Sequence, residues 1–194
     1  MGNTFTVGSV GASFTNAGPV YGGGANISLS YGIKQPKGIY ALAKASVEDQ
    51  SFSNSFTKKN FTTKPYTGIT GEIGYNHDQK GPFVRLAGTQ KVGIEKNTKI
   101  MKDVGEVLDF QGGMRFGDGI KLPEEPVYEA GACFHSETHS SRGHNLKYEE
   151  KFVGPFVGLE TKNIKVSLAG GGSNMGGKWE PAIKATLAYI IKSK

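Results

Sequence analysis

The side chains best suited to chemistry in this chain cluster between positions 135 and 150. The cluster combines histidines, acids and a serine: His135, Glu137, His139, Ser141, His144, Glu149 and Glu150. Imidazoles spaced along a folded loop can converge on a transition-metal ion. The spacing His-x3-His-x4-His matches no established metal-binding motif, however, and a hydrated polar loop has the same composition. We therefore predict neither a metal ion nor a cofactor, and the chemistry of His135, His139 and His144 stays an open question.

The triplet His139-Ser140-Ser141 resembles the His-x-Ser element of outer-membrane lipid A deacylases. That resemblance implies a histidine that activates a serine for attack on an ester. The asparagine that follows in that family is Arg142 here, and no acid among Glu137, Glu149 and Glu150 can be assigned to orient the histidine. Proteolysis of the omptin kind would need paired acids at the rim, and no such pair is evident. We predict no catalytic residue and a non-enzymatic protein, and keep a lipid A-modifying surface hydrolase as an alternative.

Positive charge is concentrated in two segments that read as loops. The six lysines are Lys58, Lys59, Lys64, Lys96, Lys99 and Lys102, and the first three are interleaved with Phe52, Phe56 and Phe61. Lysines and aromatic rings at a membrane surface bind phosphate or sulfate groups, which agrees with the net charge of +6. We predict that these lysines bind an anionic ligand, although loop hydration alone accounts for them equally well. The predicted partners are the lipid bilayer, lipopolysaccharide and an anionic surface ligand, with no nucleic acid.

The segment 170–177 is rich in glycine and invites comparison with a phosphate-binding loop. It lacks the Lys-Ser/Thr pair and the following helix that such a loop requires. We predict a flexible loop tip here.

The elements that carry these residues are predicted to be β-strands, because apolar residues alternate with polar ones instead of recurring every three or four positions. Regular alternation marks residues 25–34, 67–76, 83–95, 107–116, 128–135 and 183–192, and less regular alternation marks 4–14, 39–48, 152–160 and 164–168. No stretch approaches the roughly 18 apolar residues of a membrane-spanning helix. Cys133 is the single cysteine, which excludes a disulfide framework. The sequence therefore predicts one all-β domain, residues 1–194, of about ten strands.

The predicted connections alternate in length along the chain. Residues 34–38, 76–81 and 161–163 form short turns, whereas 15–24, 49–65, 96–104, 136–150 and 170–181 are predicted to be longer and irregular, with 117–126 intermediate. A meander of this kind places the long loops at one end of a closed barrel. We predict a closed antiparallel up-and-down transmembrane β-barrel.

Aromatic residues decide which face of the strands meets lipid. The apolar face carries Tyr31, Tyr75, Phe116, Tyr128 and Tyr189, each near a short turn or the C-terminus, as expected for a membrane-interface girdle. The opposite face is then the lumen, with predicted residues Lys44, Glu72, Arg85, Lys91, Asp109, Arg115, Glu129 and Lys184. Ten strands enclose little more space than the eight whose side chains fill a barrel, which argues against a wide pore.

The pattern resembles the small bacterial outer-membrane barrels of the opacity, attachment and OmpX-like class. The last strand, from Lys184 to Ile191, is similar to their C-terminal assembly signal, although Thr186 replaces the common glycine and Lys192-Ser193-Lys194 replaces a terminal phenylalanine. The resemblance implies location in the bacterial outer membrane.

The function predicted from the sequence is a non-enzymatic outer-membrane barrel that presents basic, aromatic-containing loops for adhesion or surface interaction. A small-solute channel, a soluble β-barrel that binds an apolar ligand and the surface hydrolase are the alternatives.

Overall fold

Eleven β-strands make up the computed structural model, which describes residues 3–18, 20–34, 38–54, 59–62, 66–76, 80–93, 103–116, 126–141, 146–175 and 177–192. The strands are β1 (Asn3–Ala17), β2 (Val20–Lys34), β3 (Ile39–Asn54), β4 (Lys59–Thr62), β5 (Tyr66–Asn76), β6 (Gly81–Gly93), β7 (Asp103–Phe116), β8 (Val127–Ser141), β9 (Leu146–Glu160), β10 (Ile164–Met175) and β11 (Lys178–Lys192). Among the described residues, no helix is long and apolar enough to cross a membrane.

Ten of these strands form a closed antiparallel barrel. Each pairs with the next barrel strand along the chain, so that β3 pairs with β5, and β1 pairs with β11, from Val7 opposite Lys192 to Ala17 opposite Ala182. The short β4 lies outside the ring, because it pairs only with the end of β3. The predicted fold class and strand number are confirmed.

The predicted long loops are mostly strand. Only two residues separate β1 from β2 and β10 from β11, and four separate β8 from β9. The predictions of loops at 15–24, 136–150 and 170–181 were therefore wrong. These segments lack apolar alternation, yet their backbones continue the hydrogen-bonded ladder of their neighbours, and backbone pairing does not require an apolar face. We call the end that carries connections 55–65 and 94–102 the loop end, and the end with 161–163 the turn end.

The glycines at 170–172 are in β10, which corrects the prediction of a flexible tip. A Cβ added to Gly171 would lie 2.2 Å from the carbonyl oxygen of Val153, and one added to Gly154 would lie 2.2 Å from that of Gly170. Two backbones that approach this closely leave no room for a side chain, so glycine fits here because of its size.

The apolar side chains of the strands lie on the outside of the barrel. Leu29, Ile69 and Val157 are each more than half exposed. Along β7, outward side chains are apolar or glycine from Leu108 to Phe116, which at about 3.4 Å per residue and a tilt of about 40° spans roughly 20 Å of barrel height. This approaches the apolar band of about 25 Å on membrane barrels.

Polar side chains bound this band at the loop end on one strand after another. The outward residues there are Asp49, Gln90, Glu106, Ser136 and Lys151. A soluble barrel would pack its aliphatic groups inside, so the outward position of these groups contradicts the hypothesis of a soluble barrel that binds an apolar ligand.

Candidate functional site in the barrel lumen

The lumen is occupied by ion pairs that reach across strands, in two layers. The layer nearer the turn end, which we call the turn-end layer, consists of Arg85, Arg115, Glu129 and Glu160. The guanidinium of Arg85 on β6 contacts both carboxylate oxygens of Glu129 on β8, passing over β7. Nε of Arg115 lies 3.2 Å from the same carboxylate, and Nη2 of Arg115 lies 3.3 Å from the carboxylate of Glu160 on β9.

Burial makes the charges of the turn-end layer depend on one another. The Glu129 side chain is only 2% exposed, so its charge is compensated almost entirely by the two guanidinium groups. Beside Arg85, the hydroxyl of Tyr40 donates a 2.6 Å hydrogen bond to Glu72.

The second layer, which we call the loop-end layer, is centred on Lys91. Its ammonium lies 2.9 Å from Glu137 on β8 and 3.2 Å from Glu48 on β3, and it donates a 3.0 Å hydrogen bond to the hydroxyl of Tyr66. Because these partners come from β3, β5 and β8, one lysine ties together distant parts of the barrel wall.

The rest of the loop-end layer surrounds His135. Its ring nitrogens lie 2.6 Å from Asp109 and 3.3 Å from Glu137. Glu150, whose side chain is 2% exposed, receives the ammonium of Lys184 at 2.8 Å and a hydrogen bond from Ser173 at 3.0 Å. We define the loop-end layer as Glu48, Lys91, Asp109, His135, Glu137, Glu150 and Lys184.

Aromatic rings fill space beside the ionic layers. Phe83 and Phe152 are each 1% exposed, and Phe83 makes an edge-to-face contact with Phe156 at 6.0 Å. Arg85 lies 4.8 Å from the centre of the Phe83 ring, and Lys184 lies 5.3 Å from that of Phe152. The cations are therefore held against ring faces as well as carboxylates, which restricts their movement.

The structure places the predicted lumen residues on the inward face of their strands. Seven of the eight are in the contacts described above: Glu72, Arg85, Lys91, Asp109, Arg115, Glu129 and Lys184. Lys44 is half-buried on the same face of β3 as Tyr40 and Ser46.

The five predicted girdle residues all lie near the turn end of their strands. Tyr31, Phe116, Tyr128 and Tyr189 point outward and are each more than half exposed. Tyr75 is less exposed than the other four.

Five of the six predicted ligand-binding lysines lie in segments that the structure does not describe. Lys58, Lys64, Lys96, Lys99 and Lys102 lie outside the described residues, and Lys59 begins β4 but its side chain is not described. Their role stays a prediction.

The cluster predicted in and beside a loop is divided by the barrel wall. His135, Glu137 and Glu150 face the lumen, whereas Glu149 faces outward and pairs with Lys151 at 3.1 Å. His139 and Ser141 are in β8 with side chains that are not described, and His144 lies outside the described residues, so the hydrolase hypothesis stays untested.

Sequence reasoning placed Glu48 on the polar face of its strand but missed four other lumen contacts of this layer, namely Tyr66, Glu137, Glu150 and Ser173. A signal was present for Glu137, since Glu129, Gly131, Cys133 and His135 precede it at alternate positions. Continuing that alternation past residue 135 would have placed Glu137 inside the barrel.

No protein-family model matches this chain, and no curated protein matches it either. Among solved structures, it is similar to the translocator domain of the autotransporter NalP from Neisseria meningitidis, with a TM-score of 0.48 and 10% identity, covering 100% of this chain and 89% of that chain. It is also similar to the β domain of the Bordetella autotransporter BrkA, with a TM-score of 0.44 and 8% identity, covering 97% and 99% of the two chains. Similarity at this level carries no function over. Both are described as autotransporter domains, and the opacity, attachment or OmpX-like class stays a prediction.

Proposed function

We propose that this protein is a bacterial outer-membrane barrel with a closed lumen, which serves as a rigid platform for surface segments at its loop end. The observation that carries the proposal is the reversal of the usual polarity, with aliphatic groups outside and buried ion pairs inside. In water this arrangement is unfavourable, because it exposes apolar area and desolvates charge. In a bilayer the outward groups contact hydrocarbon.

The strand count supports the outer membrane in particular. Bacterial outer-membrane barrels have an even number of antiparallel strands, and an even number brings the first and last strands together with both ends at one rim. In this barrel that rim is the turn end, where β1 begins and β11 ends. The loop end would then face the outside of the cell.

A closed lumen supports the platform function over the small-solute channel. Ion pairs bridge β6 to β8, β7 to β9, β9 to β11 and β3 to β6, so side chains cross the interior in several directions. Porins of 16 to 18 strands leave an aqueous channel, whereas ten strands enclose little more space than the eight whose side chains fill a barrel.

Planar-bilayer recordings test this proposal. The wild-type barrel should insert without producing discrete conductance steps, whereas the combined variant Arg85→Ala, Arg115→Ala, Glu129→Ala, Lys91→Ala, Glu137→Ala should conduct, because it removes bridging ion pairs from both layers. Glu106→Gln, on the outward face, is the matched control and should remain silent. Regular single-channel openings of the wild-type protein would overturn the closed-lumen proposal and favour the small-solute channel.

We further propose that the segments at the loop end bind an anionic surface ligand, such as lipopolysaccharide phosphates or a sulfated polysaccharide. The support is the placement of connections 55–65 and 94–102, which hold Lys58, Lys64, Lys96, Lys99 and Lys102, at the same end of the barrel. Clustered positive charge at one end attracts polyanions over a distance set by ionic strength.

Immobilised heparin is the probe for this second proposal. A triple variant should elute at a lower salt concentration than the wild type, because each lost charge weakens a screened attraction. Its substitutions are Lys58→Gln, Lys59→Gln and Lys64→Gln. The control replaces three exposed lysines at the turn end, Lys34, Lys80 and Lys162, with glutamine. Equal loss in the two triple variants would show that net charge alone, rather than the loop end, governs binding.

A further inference from the structure

We propose that the loop-end layer binds a divalent transition-metal cation through His135, Glu137 and Glu150. Nε2 of His135 lies 3.3 Å from Oε2 of Glu137, and one donor atom from each of the three side chains lies within 4.8 Å of the others. Bonds of about 2.1 Å to one ion place ligand atoms about 3 to 3.5 Å apart. The three side chains therefore need only small rotations to share an ion.

The orientation of the imidazole is that of a metal ligand. Asp109 lies 2.6 Å from Nδ1 of His135, and a carboxylate on one ring nitrogen is the usual way in which proteins fix the other nitrogen toward a metal. When Nδ1 donates to Asp109, Nε2 presents a lone pair to the Glu137 carboxylate. Two acceptors at 3.3 Å repel each other, so either a proton on Nε2 or a cation must lie between them.

The position of the layer gives a cation a route to it. Ser136 and Lys151, the chain neighbours of His135 and Glu150, face outward at the polar boundary of the apolar band, so the donors lie level with the loop-end surface. The Asp109 side chain is 43% exposed and that of His135 21%, which opens one side of the cluster to water. One imidazole and two carboxylates suit Zn²⁺ or Co²⁺, whereas Ca²⁺ prefers six or more oxygens.

Binding can be measured on the full chain refolded in detergent. Equilibrium dialysis with Zn²⁺ should give one ion per chain, and Co²⁺ should develop visible absorption on the same protein. His135→Gln should weaken binding at least a hundredfold. Asp109→Asn should weaken it about 10- to 100-fold while the stoichiometry stays at one, because Asp109 orients the imidazole without contacting the ion.

Calorimetry in two buffers of different ionisation enthalpy measures the number of protons released per ion bound, and a purely structural role of His135 would not change this number. If the ion replaces the proton on Nε2, binding releases about one proton per ion, and this release disappears in His135→Gln. Ca²⁺ at the same concentration should not compete with Zn²⁺.

An acid on the outward face provides the matched control. Glu149→Gln should bind Zn²⁺ as the wild type does, because Glu149 pairs with Lys151 on the outside of the barrel and the lumen donors stay intact. Heat-modifiable gel mobility checks that each variant folds, and Glu150→Gln replaces His135→Gln if the latter does not. Absence of Zn²⁺ binding by the wild-type protein, or loss of binding in Glu149→Gln, would overturn the proposal.

Discussion

Replacing Arg85 with methionine should destabilise the barrel by about 3 kcal/mol. The change leaves the carboxylate of Glu129, 2% exposed, with one guanidinium instead of two. Breaking a buried pair by removing one partner costs about 3–5 kcal/mol. The lower end applies here, since Arg115 remains 3.2 Å from the carboxylate and methionine keeps an apolar contact with the Phe83 ring.

Urea titration of the protein in lipid vesicles measures this loss. The chain has a single tryptophan, Trp179, which is outward and 55% exposed, so its fluorescence reports transfer between lipid and water. Lys165→Met is the matched control, because Lys165 is 3.7 Å from Glu160 with a side chain 35% exposed, and such pairs contribute about 0–1 kcal/mol.

A loss no larger than that of Lys165→Met would refute the reasoning, since it would mean that water solvates Glu129 inside the barrel. A double variant sharpens the test. Arg85→Met combined with Glu129→Leu should be less destabilised than Arg85→Met alone, because the incompletely compensated carboxylate is then absent and Arg115 keeps Glu160 at 3.3 Å.

Three further predictions concern the wall and the packing of the barrel, each measured by the same vesicle titration. Leu29→Arg should cost about 2–4 kcal/mol because it puts a charge at the middle of the apolar band, whereas Gln90→Arg at its boundary should cost about 0–1 kcal/mol, and equal costs would contradict the membrane position. Gly113→Ala should destabilise by about 1–3 kcal/mol, since its Cβ would lie 2.1 Å from the carbonyl oxygen of Ala130, while Gly71→Ala, with open space around it, should be neutral. Phe83→Ala should cost about 3–5 kcal/mol because the ring is 1% exposed, and a loss under 1 kcal/mol would show that the lumen is loosely packed.

The strands could be predicted from the sequence because a wall between lipid and a polar interior imposes a period of two. Tyr31, Ile33 and their neighbours on β2 follow that period without interruption, and the structure places them outward. The ends of the strands at the loop end could not be predicted this way. Beyond the apolar band both faces meet polar surroundings, so the alternation stops although the ladder continues.

The contents of the lumen could be predicted, but its pairings could not. That Arg85 and Glu129 face inward follows from their strands, yet they are 44 residues apart with β7 between them. Their contact depends on the stagger of three strands and on the curvature of the wall, which no local pattern encodes. The partners of His135 could not be predicted for the same reason, because Asp109 and Glu150 reach it from the neighbouring strands on either side.

Pairing of β1 with β11 also determines how this protein can meet other chains. A strand at the margin of an open sheet offers unpaired amide and carbonyl groups to which a foreign strand can add, and a ring has no such margin. In the part of the chain that the structure describes, β4 alone pairs on a single side, and it has four residues. Among the described strands, recruitment by backbone pairing, including the stacking that leads to fibrils, is therefore restricted to this short segment. Contacts of the ten barrel strands with other chains depend on side chains.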